Sequence, residues 1–335
     1  MPETLTLKPK AAKQLIFDAL TGAGTAAENA GYFTEAILDT ELSGLEGHGF
    51  YWLQYYCEHV KSGKVDGKVK PKIKKLSRVT FRADARHGFA HPAIAKGFEK
   101  LIPAARKHGI AALAVHNSYN AATLGFHTGY LARHGLVAFG FTNSIAAIAP
   151  FGGKKPVIGT NPLSFAVPAP KGKIAFLIDQ SSSAVAWTAV KRAAEEGRDI
   201  PLGWAIDQEG KPTADPNEGL AGSMAPSGGY KGFGQGLIVE VMCAAMTGAL
   251  LGTEMSSFVE NDGKPIDNGQ FFIALDPAGF SGGAFDKTIR RLTKSILSQE
   301  GARLPNTRRI ENHKRLSKEG LKIDKALYEK LKSFS

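Results

Sequence analysis

Apolar positions in the first 50 residues recur at helical spacing. Ala30, Phe33, Ile37 and Leu38 predict one helix, punctuated by Gly44 and Gly47 at its end. Thr25-Ala26-Ala27-Glu28 has the Thr-x-x-Glu spacing of a capping box and places its start. A second helix is predicted over 51–60. From about Arg78 the period changes. Residues 79–83 alternate like a strand, and short apolar runs over 110–115, 136–142, 163–167, 173–178 and 271–275 read as strands too. Between the first two, Ala93, Ile94, Phe98, Leu101 and Ile102 form the stripe of a helix over 92–107. Residues 191–197 read as a short polar helix, 236–251 as a buried helix, 285–299 as a charged amphipathic helix and 310–335 as a polar helical tail. Gly, Pro and Asp crowd 201–226 and predict a long surface loop. Strands alternating with helices predict an α/β fold.

The 335 residues suffice for one large domain or two. Only Cys57 and Cys243 are present, which implies no disulfide framework and suits a reducing cytoplasm. Met1-Pro2-Glu3-Thr4 lacks signal-peptide character. The longest uncharged apolar stretch, 241–251, falls short of the ~20 residues that span a bilayer. The formal net charge is +11. Its densest cluster, over 61–75, holds Lys64, Lys68, Lys70, Lys72 and Lys74 without arginine or aromatic interleaving. That composition describes a solvated edge or loop better than a nucleic-acid surface, so neither nucleic acid nor a membrane is an expected partner. Attraction for anionic small molecules is the better use of the charge.

Several segments carry candidate chemistry. Pro150-Phe151-Gly152-Gly153 and Gly159-Thr160-Asn161-Pro162 precede the apolar run 163–167. Glycines open tight turns, and Pro162 pushes Asn161 towards extended backbone. Such a turn can hold a small polar ligand, or it is an ordinary turn. His48 stands in Glu46-Gly47-His48-Gly49, where an accessible imidazole can exchange a proton, or simply decorate a loop. Asn120-Ala121-Ala122-Thr123-Leu124-Gly125 and Asp179-Gln180-Ser181-Ser182-Ser183 each follow a predicted strand; both permit close approach of a ligand, and both are also good packing turns. Gly228-Gly229-Tyr230-Lys231-Gly232 sets a lysine beside flexible backbone. Gly232-Phe233-Gly234 does not follow a predicted strand and lacks the Rossmann context, and 282–288 has the wrong P-loop spacing. No His-Glu-x-x-His motif or paired cysteine is present, so no catalytic metal is expected.

Taken in order, these segments resemble the malate/L-lactate dehydrogenase family that is unrelated to the Rossmann-type enzymes. The resemblance runs through 44–49, Asn117-Ser118, 150–153, 159–162, 179–186, Ile200-Pro201-Leu202-Gly203-Trp204, 207–216, 228–232 and 303–309. It implies an NAD(P)-binding mixed-sheet domain over 76–309 and a helical domain formed by 1–75 with 310–335. It implies a homodimer with each active site near the interface. It also implies a nicotinamide cofactor, with NADPH favoured over NADH because Arg303, Arg308 and Arg309 can face an extra phosphate. By the same resemblance His48 is the proton donor and Thr160 touches substrate, with Trp52, Trp187 and Thr188 beside it. Cofactor contacts fall on Asn120, Ala121, Ala122, Thr123, Leu124, Asp179, Gln180, Ser181, Tyr230, Lys231, Arg303, Pro305, Asn306 and Arg308.

The departures from the family pattern bear on substrate. The serine that usually precedes the histidine is Gly47, and the arginine usual four positions after it is Trp52, an indole that cannot form a bidentate ion pair with a carboxylate. Asn120 stands where a histidine is usual, and Ala189 where Asp or Lys is common. The segment 120–124 is most similar to the cyclic imino-acid reductases. The expected reaction is therefore reduction of Δ1-piperideine-2-carboxylate or Δ1-pyrroline-2-carboxylate to pipecolate or proline, with 2-hydroxy acid dehydrogenation of the malate/lactate type as the alternative.

Overall fold

The computed structural model describes residues 3–335, apart from the side chain of Glu46; the chain's first two residues, where the reading of its start falls, lie outside it. The chain opens with a strand, β1 (Thr4–Leu7), then α1 (Pro9–Gly22), α2 (Ala27–Leu42) and α3 (Phe50–Ser62). Next come β2 (Lys72–Lys75), β3 (Thr80–Asp84), α4 (Ala90–His108), β4 (Ile110–Ser118), α5 (Leu124–Arg133) and β5 (Val137–Thr142). β6 (Leu163–Ala169), β7 (Lys173–Gln180) and α6 (Trp187–Glu195) follow. A small unit holds β8 (Ala205–Ile206), β9 (Pro212–Thr213), α7 (Pro216–Ala221) and β10 (Ser223–Met224). The chain ends with α8 (Tyr230–Glu240), β11 (Asn268–Leu275), α9 (Phe285–Leu297), α10 (Thr307–Glu319), β12 (Leu321–Asp324) and α11 (Lys325–Lys332).

The main sheet has seven strands in the order β2-β3-β4-β11-β5-β6-β7. Only β3 and β4 pair in parallel; every other neighbour is antiparallel. This is a mixed sheet and not the doubly wound parallel sheet that a Rossmann fingerprint accompanies. The pairing makes β4, β5 and β7 run the same way, so their C-terminal ends open along one edge. α4 and α5 cover one face, where Phe98, Leu101, Leu113, Leu124, Leu131 and Phe272 interlock. On the other face Val239 and Cys243 meet Phe141 and Phe271. A separate cluster joins the chain's two ends, with Leu15, Leu20, Phe33, Leu53 and Tyr56 packed on Leu321, Ile323, Leu331 and Phe334.

Four expectations need correction. The tail is not wholly helical: Leu321–Asp324 is a strand paired antiparallel with Thr4–Leu7. Strands this short have little periodicity to read, and each exists only because the other end of the chain lies beside it. The stretch over 201–226 is not a plain loop; β8, β9 and β10 form a small sheet packed through Ala205 and Met224 on Ile148, Ile158 and Val190. The capping box is not used, since Ala26 is the N-cap of α2 without a side-chain bond and Thr25 Oγ1 is buried without a partner. The helix over 236–251 is not buried on all sides. It breaks into a π-helical turn at Val241–Ala245, and Ile238, Val241 and Met246 are more than half exposed (57%, 54% and 58%). Of the basic cluster, Lys72 and Lys74 lie on an exposed edge strand, β2, where charge discourages edge-to-edge pairing, whereas Lys64 is not solvated but buried.

Candidate active site

His48 belongs to a 3-10 turn at Glu46–His48 between α2 and α3. Its position depends on Glu41, which is 3% exposed and accepts a hydrogen bond from the Phe50 amide at 2.6 Å. A Cβ at residue 49 would run into that carboxylate, and Gly49 has φ −107° and ψ −113°. Glycine is therefore required after the histidine for close approach. Before it, a Cβ at Gly47 would meet Thr188 Oγ1 at 2.9 Å. The space a serine would take is filled by the Thr188 hydroxyl, delivered from α6.

The turn that holds Thr160 is fixed by Asn161. Asn161 is fully buried with φ +40°, so the extended conformation expected from the following proline is overridden. Its Nδ2 donates to Gly236 O at 3.0 Å and Glu240 Oε2 at 2.6 Å, while its Oδ1 accepts from the Ser144 amide at 3.2 Å. Glu240 Oε1 in turn accepts from the Gly252 amide at 2.7 Å. Three separate segments are thereby locked around one side chain, which outweighs the local backbone preference.

These elements enclose a cavity of about 450 Å3. It lies at the carboxyl ends of β4, β5 and β7, where α/β sheets commonly take ligands. Its lining includes His48, Trp52, Thr160, Trp187, Thr188, Asn120, Ala121, Ala122, Thr123, Leu124, Asp179, Gln180 and Ser181. Fold geometry thus brings together the residues expected to touch substrate and most of those expected to touch cofactor. It leaves out Tyr230, Lys231, Arg303, Pro305, Asn306 and Arg308, which do not line the cavity within this chain. Tyr230 is 64% exposed and meets Phe151 edge-on. The segment 303–306 lies along β7, where the Leu177 amide donates to Pro305 O at 3.5 Å.

Arg309 takes a different place from the one expected of it. Its Nη1 donates to Asp179 Oδ2 at 2.8 Å and its Nη2 to Asp179 O at 3.3 Å. The same carboxylate oxygen accepts from the Gly125 amide at 3.0 Å, at the first turn of α5. Arg309 therefore serves Asp179, and Asp179 ties β7 to the N-terminus of α5, where a negative charge is favoured. Asn120 is also partly committed, since its Oδ1 accepts from the Ala122 amide at 2.6 Å in a turn that holds Ala122 at φ +53°.

His48 is exposed as a residue, and its side chain lines the cavity. The surrounding walls lower its pKa from the ordinary 6.5 by desolvation; Asp179 opposes that shift and Arg309 adds to it. Trp52 donates its indole N–H to Gly47 O at 2.9 Å and sits edge-on to Phe258 at 6.5 Å. Its donor is spent, so it offers the cavity an apolar face next to the histidine. Sequence reasoning missed Asn143, Ser144, Asn268 and the segment Ser257, Phe258 and Val259, all on the cavity. Asn143 and Ser144 could have been found, because they directly follow a predicted strand as Asn120 and Asp179 do. The segment 257–259 lies in irregular chain and carried no signal. Among the described residues, no group of three or more His, Cys, Asp or Glu could hold a metal ion.

A mixed sheet whose strand ends open into a cleft, with an accessible imidazole on its wall, defines an α/β small-molecule enzyme. The chain belongs to the malate/L-lactate dehydrogenase family, whose model matches residues 7–332, and it is an oxidoreductase. It is 41% identical to the (2R)-3-sulfolactate dehydrogenase (NADP+) of Chromohalobacter salexigens, over 97% of this chain and 96% of that one. It is 34% identical to the Δ1-pyrroline-2-carboxylate reductase of Ancylobacter novellus, over 99% and 98%. The crystal structure of the Δ1-piperideine-2-carboxylate reductase of Pseudomonas syringae superposes with a TM-score of 0.92 at 31% identity, covering 99% of this chain and all of that one (100%).

Proposed function

We propose that this enzyme is an NADPH-dependent reductase of a cyclic α-imino acid, Δ1-piperideine-2-carboxylate or Δ1-pyrroline-2-carboxylate, yielding pipecolate or proline. One observation carries the choice of substrate: the apolar Trp52 face with its indole N–H already spent, set against Phe258 beside His48. An apolar ring packs there. A substrate with two anionic groups needs paired cations, and among the described residues the one arginine lining the cavity is engaged by Asp179.

The cavity's donor set supports a nicotinamide dinucleotide. Ala122, Thr123 and Leu124, at the start of α5, bring small side chains and backbone to the cleft wall. Asn143, Ser144, Thr160, Gln180 and Ser181 add neutral amides and hydroxyls suited to ribose and carboxamide. When bound, NADPH supplies the hydride. His48, in its protonated form, holds the proton that passes to the imine nitrogen. Ser144 and Thr160 hydroxyls, 3.5 Å apart, orient the substrate's polar end, and Trp52, Trp187 and Thr188 close the site. NADPH in preference to NADH rests on Arg303 and Arg308, both exposed beside the cleft's β7 side.

We place the enzyme in a homodimer whose interface takes the exposed apolar side chains of α8 and its π turn, among them Ile238, Val241 and Met246. Tyr230 and Lys231, at the start of α8, contact cofactor in that assembly. The N- and C-terminal segments, 1–75 with 310–335, form one unit and 76–309 the other. Two buried unpaired cysteines, Cys57 and Cys243, support a cytoplasmic location.

The 41% identity to a sulfolactate dehydrogenase favours a second reading, a 2-hydroxy acid dehydrogenase of the malate, lactate or sulfolactate type. NADPH oxidation followed by absorbance separates the two. The two cyclic imines, pyruvate, oxaloacetate and 3-sulfopyruvate are compared as substrates. Turnover confined to the cyclic imines supports the first reading; turnover confined to the open-chain acids replaces it with the second.

A further inference from the structure

Lys64 is 3% exposed, a burial rare for lysine. Its Nζ donates to three carbonyls of one segment: Ser257 O at 2.6 Å, Glu260 O at 2.9 Å and Asp262 O at 2.8 Å. An ammonium has three protons, and all three are used. Desolvation lowers its pKa, while the nearby Asp262 and Glu260 carboxylates favour the charge.

The fully buried His59 reinforces the same point. Its Nε2 lies 2.9 Å from Glu260 O, which only accepts, so Nε2 carries the proton. Nδ1 then accepts from the Tyr119 hydroxyl at 2.5 Å. Burial pushes the ring's pKa down to about 4, in keeping with a neutral imidazole. Tyr119 directly precedes the cavity segment 120–124, and its ring meets Phe258 edge-on at 5.9 Å. One hydrogen-bonded chain therefore joins Lys64, the 257–262 segment, His59 and the cofactor side of the cleft. The segment itself has no regular structure, yet it supplies Ser257, Phe258 and Val259 to the cavity.

We propose that Lys64 is a positioning residue: its ammonium takes the place of a bound monovalent cation, gathers the three carbonyls, and holds Phe258 against Trp52 so that the pocket fits the substrate's apolar part. The inference rests on the placement of substrate between Trp52 and Phe258 argued above. Its chemistry reaches the reaction only through the 257–262 segment.

The test compares Lys64→Ala, Lys64→Met and Phe258→Ala with the wild-type enzyme, in ammonium chloride and in sodium chloride at equal ionic strength. Lys64→Ala leaves room for an ion; Lys64→Met fills it without charge. The expected result for Lys64→Ala is a KM for the accepted substrate raised about tenfold with kcat within about twofold, and an unchanged NADPH dissociation constant. Ammonium should bring that KM back towards the wild-type value, leaving Lys64→Met and the wild type unmoved. If Phe258→Ala raises KM and Lys64→Ala does not, the anchor is overturned and the site reading stands. If neither changes KM, the placement of substrate fails and the anchor fails with it. A Lys64→Ala chain that folds in neither salt also overturns the proposal, because the lysine then supports the whole chain.

Discussion

The two sides of the cleft are built by different means. One side is the edge of the main sheet, where the ends of β4, β5 and β7 deliver Asn120–Leu124, Asn143–Ser144 and Asp179–Ser181. Its side chains are locked by short polar contacts among sheet, turn and helix, with Asn161 and Asp179 as hubs. The other side has no strand. His48 rides on a 3-10 turn, Trp52 on the first turn of α3, and Phe258 on irregular chain pinned by Lys64. A site whose chemistry is common to a family and whose substrate varies needs this division. A sheet edge moves little when a side chain changes, whereas a turn and a pinned segment can be re-shaped by one or two residues.

Breaking the histidine has the largest expected effect. His48→Gln keeps the turn and removes the proposed proton donor, so kcat should fall by roughly 10²–10⁴ with an unchanged thermal melt. A smaller loss in the NADPH assay would remove His48 from the role given to it. Next comes the sheet side. Asn161→Ala strips three hydrogen-bonding groups of a common partner, among them the buried Glu240 carboxylate, and should cost about 3 kcal/mol in urea unfolding. A change near zero would mean the Gly159–Pro162 turn holds itself.

Trp52→Arg sharpens the comparison instead of breaking it. The cyclic imine should lose about tenfold in kcat/KM while 3-sulfopyruvate or oxaloacetate gains, since a free guanidinium then faces the cleft. Parallel losses on every substrate would show that Trp52 supports the turn more than it selects. The effect least visible at neutral pH is acid sensitivity. His59 and His127 are buried, with pKa values pushed down to about 4 by burial. Their folded values lie below the unfolded 6.5, so the unfolded chain binds more protons between them. Stability is complete above about 6.5 and falls as pH drops towards 4. Denaturant titrations at several pH values check this, and His127→Gln should flatten part of the slope; an unchanged slope would assign the acid sensitivity elsewhere.

Much of the sheet side was legible in the sequence because its signals are local. Strand runs followed by small polar turns placed Asn120–Leu124 and Asp179–Ser181 correctly at the ends of β4 and β7, and glycines flanking a histidine singled out His48. The other side was legible only in its named residues. Nothing near Trp52 in the chain shows that its indole N–H is spent on Gly47 O, and nothing near Phe258 marks it as a wall. Arg309 illustrates the same limit: an arginine in the 303–309 segment looked ready for a phosphate, and it pairs instead with Asp179, 130 positions away.

The sequence by itself determined six of the seven strands of the main sheet, the helix α4 on its face, and the short motifs around His48 and Thr160; it read β2 as a basic edge and predicted no helix at α5. Those features rest on periodicity and backbone chemistry within a few residues. Only the tertiary structure decided that β1 and β12 pair, that Thr188 fills the space beside Gly47, and that Lys64 binds carbonyls up to 198 positions away. The physical reason is that a buried donor or acceptor must find its partner wherever the fold brings one, and no local pattern records which partner that is.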